Sequence, residues 1–185
     1  NVVTQNIDLM PTFLDMHNHL IPSEVKGKSL VPYLKKDSEN KFTALYGYWG
    51  GGINITDGEY SYFHYPENFS QQNPDRYQYT LMPTHMRQFF SNEELQTATL
   101  HKPFDFTKDI PLLKINRIER KTDGGYKGFE DTKSALYNLQ NDPGQLTPLA
   151  DEKKINEYQK LMIDIINEYD PPKELIKNHF ENKLY

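Results

Sequence analysis

The amino-acid sequence predicts an α+β fold in which an antiparallel sheet packs against a long C-terminal helix. Two strand-like runs within residues 53–65 are joined by Asp57-Gly58, a dipeptide typical of tight β-hairpins. Residues 151–169 carry apolar side chains at helical spacing. The candidate strands lie between this helix and a helical stretch near the N-terminus. We therefore expect a four-stranded sheet, with five strands as the alternative, in a layer with the helices.

The composition limits the class of protein. The chain has 185 residues, enough for a sizeable core, and its 13 Tyr and 10 Phe are expected to supply much of that core. A net charge of −5 argues against a nucleic-acid partner or an anionic membrane surface. No signal peptide or membrane-spanning run is recognised, so a soluble protein of unassigned compartment is expected. The absence of Cys excludes disulfides, thiolate metal sites and a Cys nucleophile.

Residues 4–18 are predicted to form the first helix. Its apolar stripe, at spacing i, i+3, i+4 and i+7, consists of Met10, Phe13, Leu14 and His17. We expect this stripe to pack into the core. Asp8 is the expected N-cap, because Pro11 would then lie in the first turn, where its missing N–H costs nothing.

The strand candidates are Leu45–Trp49, Ile53–Thr56, Glu59–Tyr65, Arg76–Met82, Pro111–Arg117 and Ser134–Leu139. Aromatic residues occur on both faces of Glu59–Tyr65, so both faces of this strand are expected to be covered. Gly50, Gly51 and Gly52 interrupt the pattern before it. Three consecutive glycines indicate a bulge, a sharp bend, or backbone that approaches another group closely.

The remaining elements have local signals. Ser91 and Glu94 form a capping box, which predicts a short helix over Asn92–Leu100. Asn141–Gly144 has the residue preferences of a turn. Asp151 is expected to cap a long helix reaching Tyr169, and Lys173–Leu184 is expected to form a short final helix.

No catalytic motif is recognised, and each polar or aromatic candidate has a structural alternative. His17 and His19 would diverge on a helix, so a surface or capped pair is favoured over a shared metal site. Trp49 could stack on a sugar ring, but a lone Trp is more often part of a core. His85 and Arg87 could bind an oxyanion, or could pair with local carboxylates and carbonyls.

Three separated parts of the chain carry recognisable motifs: Ile7–Asp15 followed by Gly27–Leu34, then Gly47–Pro66, and finally Ala135–Gln145. Together they resemble the C-terminal part of the sulfatase family, within the alkaline-phosphatase-like superfamily. The second part resembles a hairpin of some bacterial sulfatases. The third is similar to the family's Leu-Tyr-x-Leu…Asp-Pro-Gly-Glu signature, from which this chain departs at Gln145 and at Pro148-Leu149.

The resemblance implies a fragment of a sulfuric ester hydrolase. Residues 1–40 would be the tail of the catalytic α/β domain with a connector, and residues 41–185 the smaller C-terminal α+β domain. The missing N-terminal catalytic domain would be the partner. It would supply the formylglycine, formed from a Cys- or Ser-x-Pro-x-Arg segment, and a calcium site, neither of which is expected in this chain. The chain alone is therefore expected to contain no catalytic residue and to be inactive.

Two functional hypotheses from different classes follow. In the first, the chain completes a sulfatase-like enzyme and lines the cleft for a sulfated ester or glycan, through the substrate-binding candidates Trp49, Gly50, Gly51, His85 and Arg87. In the second, it is an independent carbohydrate-binding or interaction module with an aromatic surface. The apolar stripe of the predicted helix over residues 4–18 distinguishes the two hypotheses. A fragment of a larger domain should leave this stripe exposed as an apolar patch, whereas an independent module should bury it.

Overall fold

The computed structural model describes residues 2–35, 42–47, 51–66, 77–82, 84, 88–116 and 133–180. It shows an α+β fold with a four-stranded antiparallel sheet, a second sheet of three strands, an N-terminal helix and a C-terminal helix, which confirms the predicted class. The chain forms two compact units. The first comprises Asn1–Tyr48, Ile53–Phe63 and Ser134–Tyr158; the second comprises Trp49–Gly52, His64–Lys133 and Gln159–Tyr185. The boundary expected at residue 40 stays a prediction.

The described helices are α1 (Leu9–Met16), α2 (Val31–Leu34), α3 (Asn92–Gln96), α4 (Glu152–Asn167) and α5 (Lys173–Phe180). The described strands are β1 (Ala44–Gly47), β2 (Ile53–Thr56), β3 (Tyr60–His64), β4 (Tyr77–Thr80), β5 (Thr99–His101), β6 (Leu112–Asn116) and β7 (Ala135–Asn138). Short 3₁₀ turns cover Asn6–Asp8 and Asp105–Thr107. None of the described helices is both long and apolar enough to span a membrane.

Helix α1 does not bury the stripe that the sequence predicts for the core. Met10, Phe13 and His17 are exposed and Leu14 is half-buried, whereas Pro11 and Thr12 on the opposite side are buried. The expectation of core packing was therefore wrong for this helix. The physical reason is that Thr12 is held by hydrogen bonds: its hydroxyl donates to the Asp8 carbonyl and accepts from the Leu30 N–H. These bonds keep the Thr12 side of the helix against the segment that contains Leu30.

The four-stranded sheet has the order β1-β2-β3-β7. The predicted pairing of Ile53–Thr56 with the following strand is confirmed, although β3 begins at Tyr60 and the loop therefore has three residues rather than two. Gly58 has φ +86°, a backbone conformation that glycine adopts without steric cost. Both faces of β3 are covered, as predicted, since Ser61 and Tyr62 point to opposite sides and both are buried.

The core face of this sheet is apolar. Ile55, Tyr62 and Leu136 are almost completely buried. Helix α4 begins after Asp151, whose carboxylate accepts a hydrogen bond from the Lys154 N–H at 3.0 Å, which confirms the predicted cap.

The second sheet has the order β4-β6-β5, with both pairs antiparallel. The capping box of Ser91 and Glu94 is present, but α3 ends at Gln96 and strand β5 follows where the sequence predicts more helix. Thr97 explains the change of structure. Its hydroxyl donates to the Glu94 carbonyl and accepts from the Asn116 N–H, so that it ends the helix beside strand β6.

Candidate functional site

Most of the substrate-binding candidates lie outside the described residues. This applies to Trp49, Gly50, His85 and Arg87, so their proposed contacts stay predictions. Gly51 is described, and it is buried at a bend before β2.

In the three-glycine segment, the backbone at Gly52 lies close to the aromatic ring of Tyr65. A Cβ added to Gly52 would lie 2.6 Å from Cε1 of Tyr65, closer than van der Waals contact permits. Of the explanations that the sequence left open for the three glycines, a close backbone approach therefore applies at Gly52. The partner in that approach is the Tyr65 side chain.

The first motif forms a polar clamp, defined here by Asp8, Thr12 and Asp15 of the N-terminal helical segment and by the backbone and side chains of residues 27–30. Asp8 is buried, and its carboxylate accepts hydrogen bonds from the N–H groups of Gln5 at 2.8 Å and Lys28 at 2.9 Å. Asp8 occupies the N-cap position of α1, but its side chain makes no cap hydrogen bond to that helix, so the expected capping contact is wrong. Its carboxylate instead binds the residue before the 3₁₀ turn and the distant residue Lys28.

Two further contacts complete the polar clamp. The Thr12 hydroxyl donates to the Asp8 carbonyl at 2.6 Å and accepts from the Leu30 N–H at 2.9 Å. The Ser29 hydroxyl donates to the Asp15 carboxylate. A Cβ on Gly27 would lie 1.9 Å from the Ile7 carbonyl oxygen, so only glycine fits beside the helix start. The polar residues of this motif therefore have a structural role in positioning α1.

The second and third motifs meet in the four-stranded sheet. Strands β3 and β7 are paired, with Tyr60 opposite Asn138. Beyond the strand end, the Leu139 N–H donates to the Glu59 carbonyl at 2.8 Å. The hairpin loop and the loop after β7 are thus held side by side.

Asp57 connects the hairpin loop with helix α4. One of its carboxylate oxygens accepts from the N–H groups of Glu59 and Tyr60, and the other accepts from the Tyr158 hydroxyl at 2.8 Å. Burial alone would raise the pKa of Asp57, but the donors, led by the Tyr60 N–H, lower the pKa below its usual value. Burial and the adjacent carboxylate raise the pKa of the Tyr158 hydroxyl.

Replacing Asp57 with asparagine should destabilise the chain by about 1 to 2 kcal/mol near neutral pH, since a charged acceptor of three donors is lost. Because the folded-state pKa is lowered, the charged form stabilises the fold above the unfolded pKa of about 4. That contribution disappears as the pH falls through the folded-state pKa. Urea unfolding of wild type and D57N should therefore converge once the pH falls below the lowered folded-state pKa of Asp57.

Asp164 provides the control for this measurement. It is exposed on α4, so D164N should change the urea midpoint little at either pH. An unchanged difference between wild type and D57N from neutral to acidic pH would contradict the assigned role of the Asp57 charge.

The second unit contains a cluster of rings around one cation. Lys114 forms an ion pair with Glu174 and lies 4.0 Å from the centre of the Tyr77 ring. The Tyr79 hydroxyl donates to the same carboxylate at 3.0 Å. Burial lowers the pKa of Lys114, but the bonds to Glu174 and Tyr79 outweigh it and leave the pKa above its usual value. The charge of Lys114 is already matched by Glu174, which makes it a poor anion ligand.

One ring near this cluster offers an open face. Phe106 is 68% exposed and stacks on the buried Phe104, with ring centres 5.3 Å apart. No motif in the sequence points to this pair, because Phe104 and Phe106 lie in an irregular stretch. The only feature of the sequence that could have indicated this pair is the spacing of the two Phe residues, which lie two positions apart.

The sequence has no residue from which the implied formylglycine could form, and the part of the chain that the structure describes has no donor set for the implied calcium. Cys is absent, and so is a Ser-x-Pro-x-Arg segment. Within the described ranges, no three His, Asp or Glu side chains are grouped as metal ligands would be. Calcium takes about six to eight oxygen ligands. The residues present do not fit these groups, so no catalytic step is assigned to them.

Comparison with known proteins adds no family assignment. The chain matches no protein-family model, and no curated protein matches it.

Proposed function

We propose that this chain is the C-terminal portion of a sulfatase-like hydrolase. In this proposal it completes the enzyme's fold and lines one side of the substrate cleft. The formylglycine and the calcium site belong to an N-terminal catalytic domain, which is the partner of this chain. The substrate is a sulfated ester or glycan.

One observation carries the proposal: most residues of the motifs behind the resemblance lie within a single compact unit. The polar clamp, the hairpin at Asp57-Gly58 and strand β7 with its following turn all belong to the first unit. Gln140 after β7 donates to the Gly58 carbonyl at 3.4 Å, and Val3 lies against Gly58. The second and third motifs, whose residues Gly58 and Gln140 are 82 positions apart in the chain, therefore contact one another. Chance matches in unrelated segments would not be expected to do so.

The exposure of α1 also favours this proposal over an independent module. An exposed apolar stripe is expected of a fragment, whereas an independent module is expected to bury it. Met10 and Phe13 are both exposed. An independent module would have to keep this surface in water, where large apolar patches promote association.

The aromatic surface supports a second candidate, an independent carbohydrate-binding module. The observation that favours this candidate is the exposed ring of Phe106, which stacks on Phe104. Aromatic rings bind the apolar faces of sugars, but the neighbouring ring of Tyr79 is turned toward Glu174 and is only partly accessible. Glycan binding by the isolated chain that is lost in Phe106→Ala would favour this candidate.

The experiment that tests the proposal is the activity of the longer gene product. The expected reading frame continues upstream into a Cys- or Ser-x-Pro-x-Arg segment, and its product hydrolyses an aryl sulfate. The 185-residue chain is expected to be inactive, because the nucleophile and the groups that stabilise charge are in the other domain. Turnover by the isolated chain, or a longer protein without any sulfate ester hydrolysis, would overturn the proposal.

Within the longer enzyme, Arg87→Ala and Trp49→Ala should each lower kcat/KM for the natural ester by about tenfold, the effect of losing about 1.4 kcal/mol of contact. Arg87 would offer a bidentate donor to an anionic group, and Trp49 a stacking surface. Thermal stability should be retained. Lys160→Ala, an exposed position on α4, serves as the control. Unchanged kinetics, or losses that accompany unfolding, would remove both residues from the site.

A further inference from the structure

We draw no further inference here: the strongest candidate, the contacting rings of Tyr46 and Phe63 on the four-stranded sheet, beside the buried Asn54 side chain whose amide oxygen has no hydrogen-bond partner in the described part of the chain, carries nothing, because nothing in the structure shows what covers it.

Discussion

Replacing Gly27 with alanine is expected to destabilise the chain by at least about 3 kcal/mol. The added Cβ would lie 1.9 Å from the carbonyl oxygen of Ile7 and 2.5 Å from its carbonyl carbon. Both atoms belong to the backbone, so no side-chain rotation can relieve the overlap. The segment around residue 27 would have to move away from the helix start.

That movement would break the polar clamp. The Lys28 N–H donates to Asp8 and the Leu30 N–H donates to Thr12, each at 2.9 Å. A displacement large enough to relieve the overlap at Gly27 would lengthen both bonds beyond hydrogen-bonding distance. The buried Asp8 carboxylate would then lose one of its two donors, which is a costly loss for a charged group.

Gly144→Ala is the matched control. A Cβ at Gly144 would lie 3.5 Å from Cγ of Leu146, which is ordinary contact. Its free energy of unfolding should be unchanged or should rise by up to about 1 kcal/mol, since alanine restricts the unfolded chain. Urea unfolding followed by circular dichroism measures both variants. Equal midpoints for G27A and G144A would show that the segment at Gly27 can move without loss, contrary to this argument.

The parts of the fold that could be predicted from the sequence depend on local interactions. The Asp57-Gly58 loop, the capping box at Ser91 and the Asp151 cap each involve residues within four positions of one another. Short-range hydrogen bonds of this kind are set by residue type and spacing, so the sequence contains the information.

Burial of α1 could not be predicted in the same way. Periodicity identifies which side of a helix is apolar, but it does not state whether this chain supplies a surface to cover that side. The packed side is instead decided by Asp8 and Thr12, whose partners Lys28 and Leu30 are about twenty residues away. Strand β5 was missed for a similar reason, because Thr99–His101 is short and its pairing with β6 is long-range.

The candidate site was predictable only in part. The motif residues of the polar clamp and of the hairpin are brought together in one unit, and their contacts give them structural roles. Gly52 fits the expectation of a close backbone approach, and its neighbour is the Tyr65 ring. The contacts of Trp49, His85 and Arg87 with substrate stay predictions, to be tested by the kinetics of the longer protein that we propose.

Removing the Asp8 carboxylate should have the second large effect. In Asp8→Ala the N–H groups of Gln5 and Lys28 lose their acceptor at a site where Asp8 itself is only 6% exposed. Two donors left without a partner at this part-buried site should cost about 2 to 4 kcal/mol in total. The loss should be seen as a lower urea midpoint and as faster hydrogen exchange at the Lys28 amide.

Two comparisons separate this effect from the general loss of a carboxylate. Asp8→Asn keeps one acceptor oxygen, so its cost should lie between those of wild type and D8A. Asp151→Ala removes an exposed cap that accepts from Lys154 and should cost only about 1 kcal/mol. If D8A were no more destabilising than D151A, the polar clamp would not hold α1, and the outward orientation of its apolar face would need another cause.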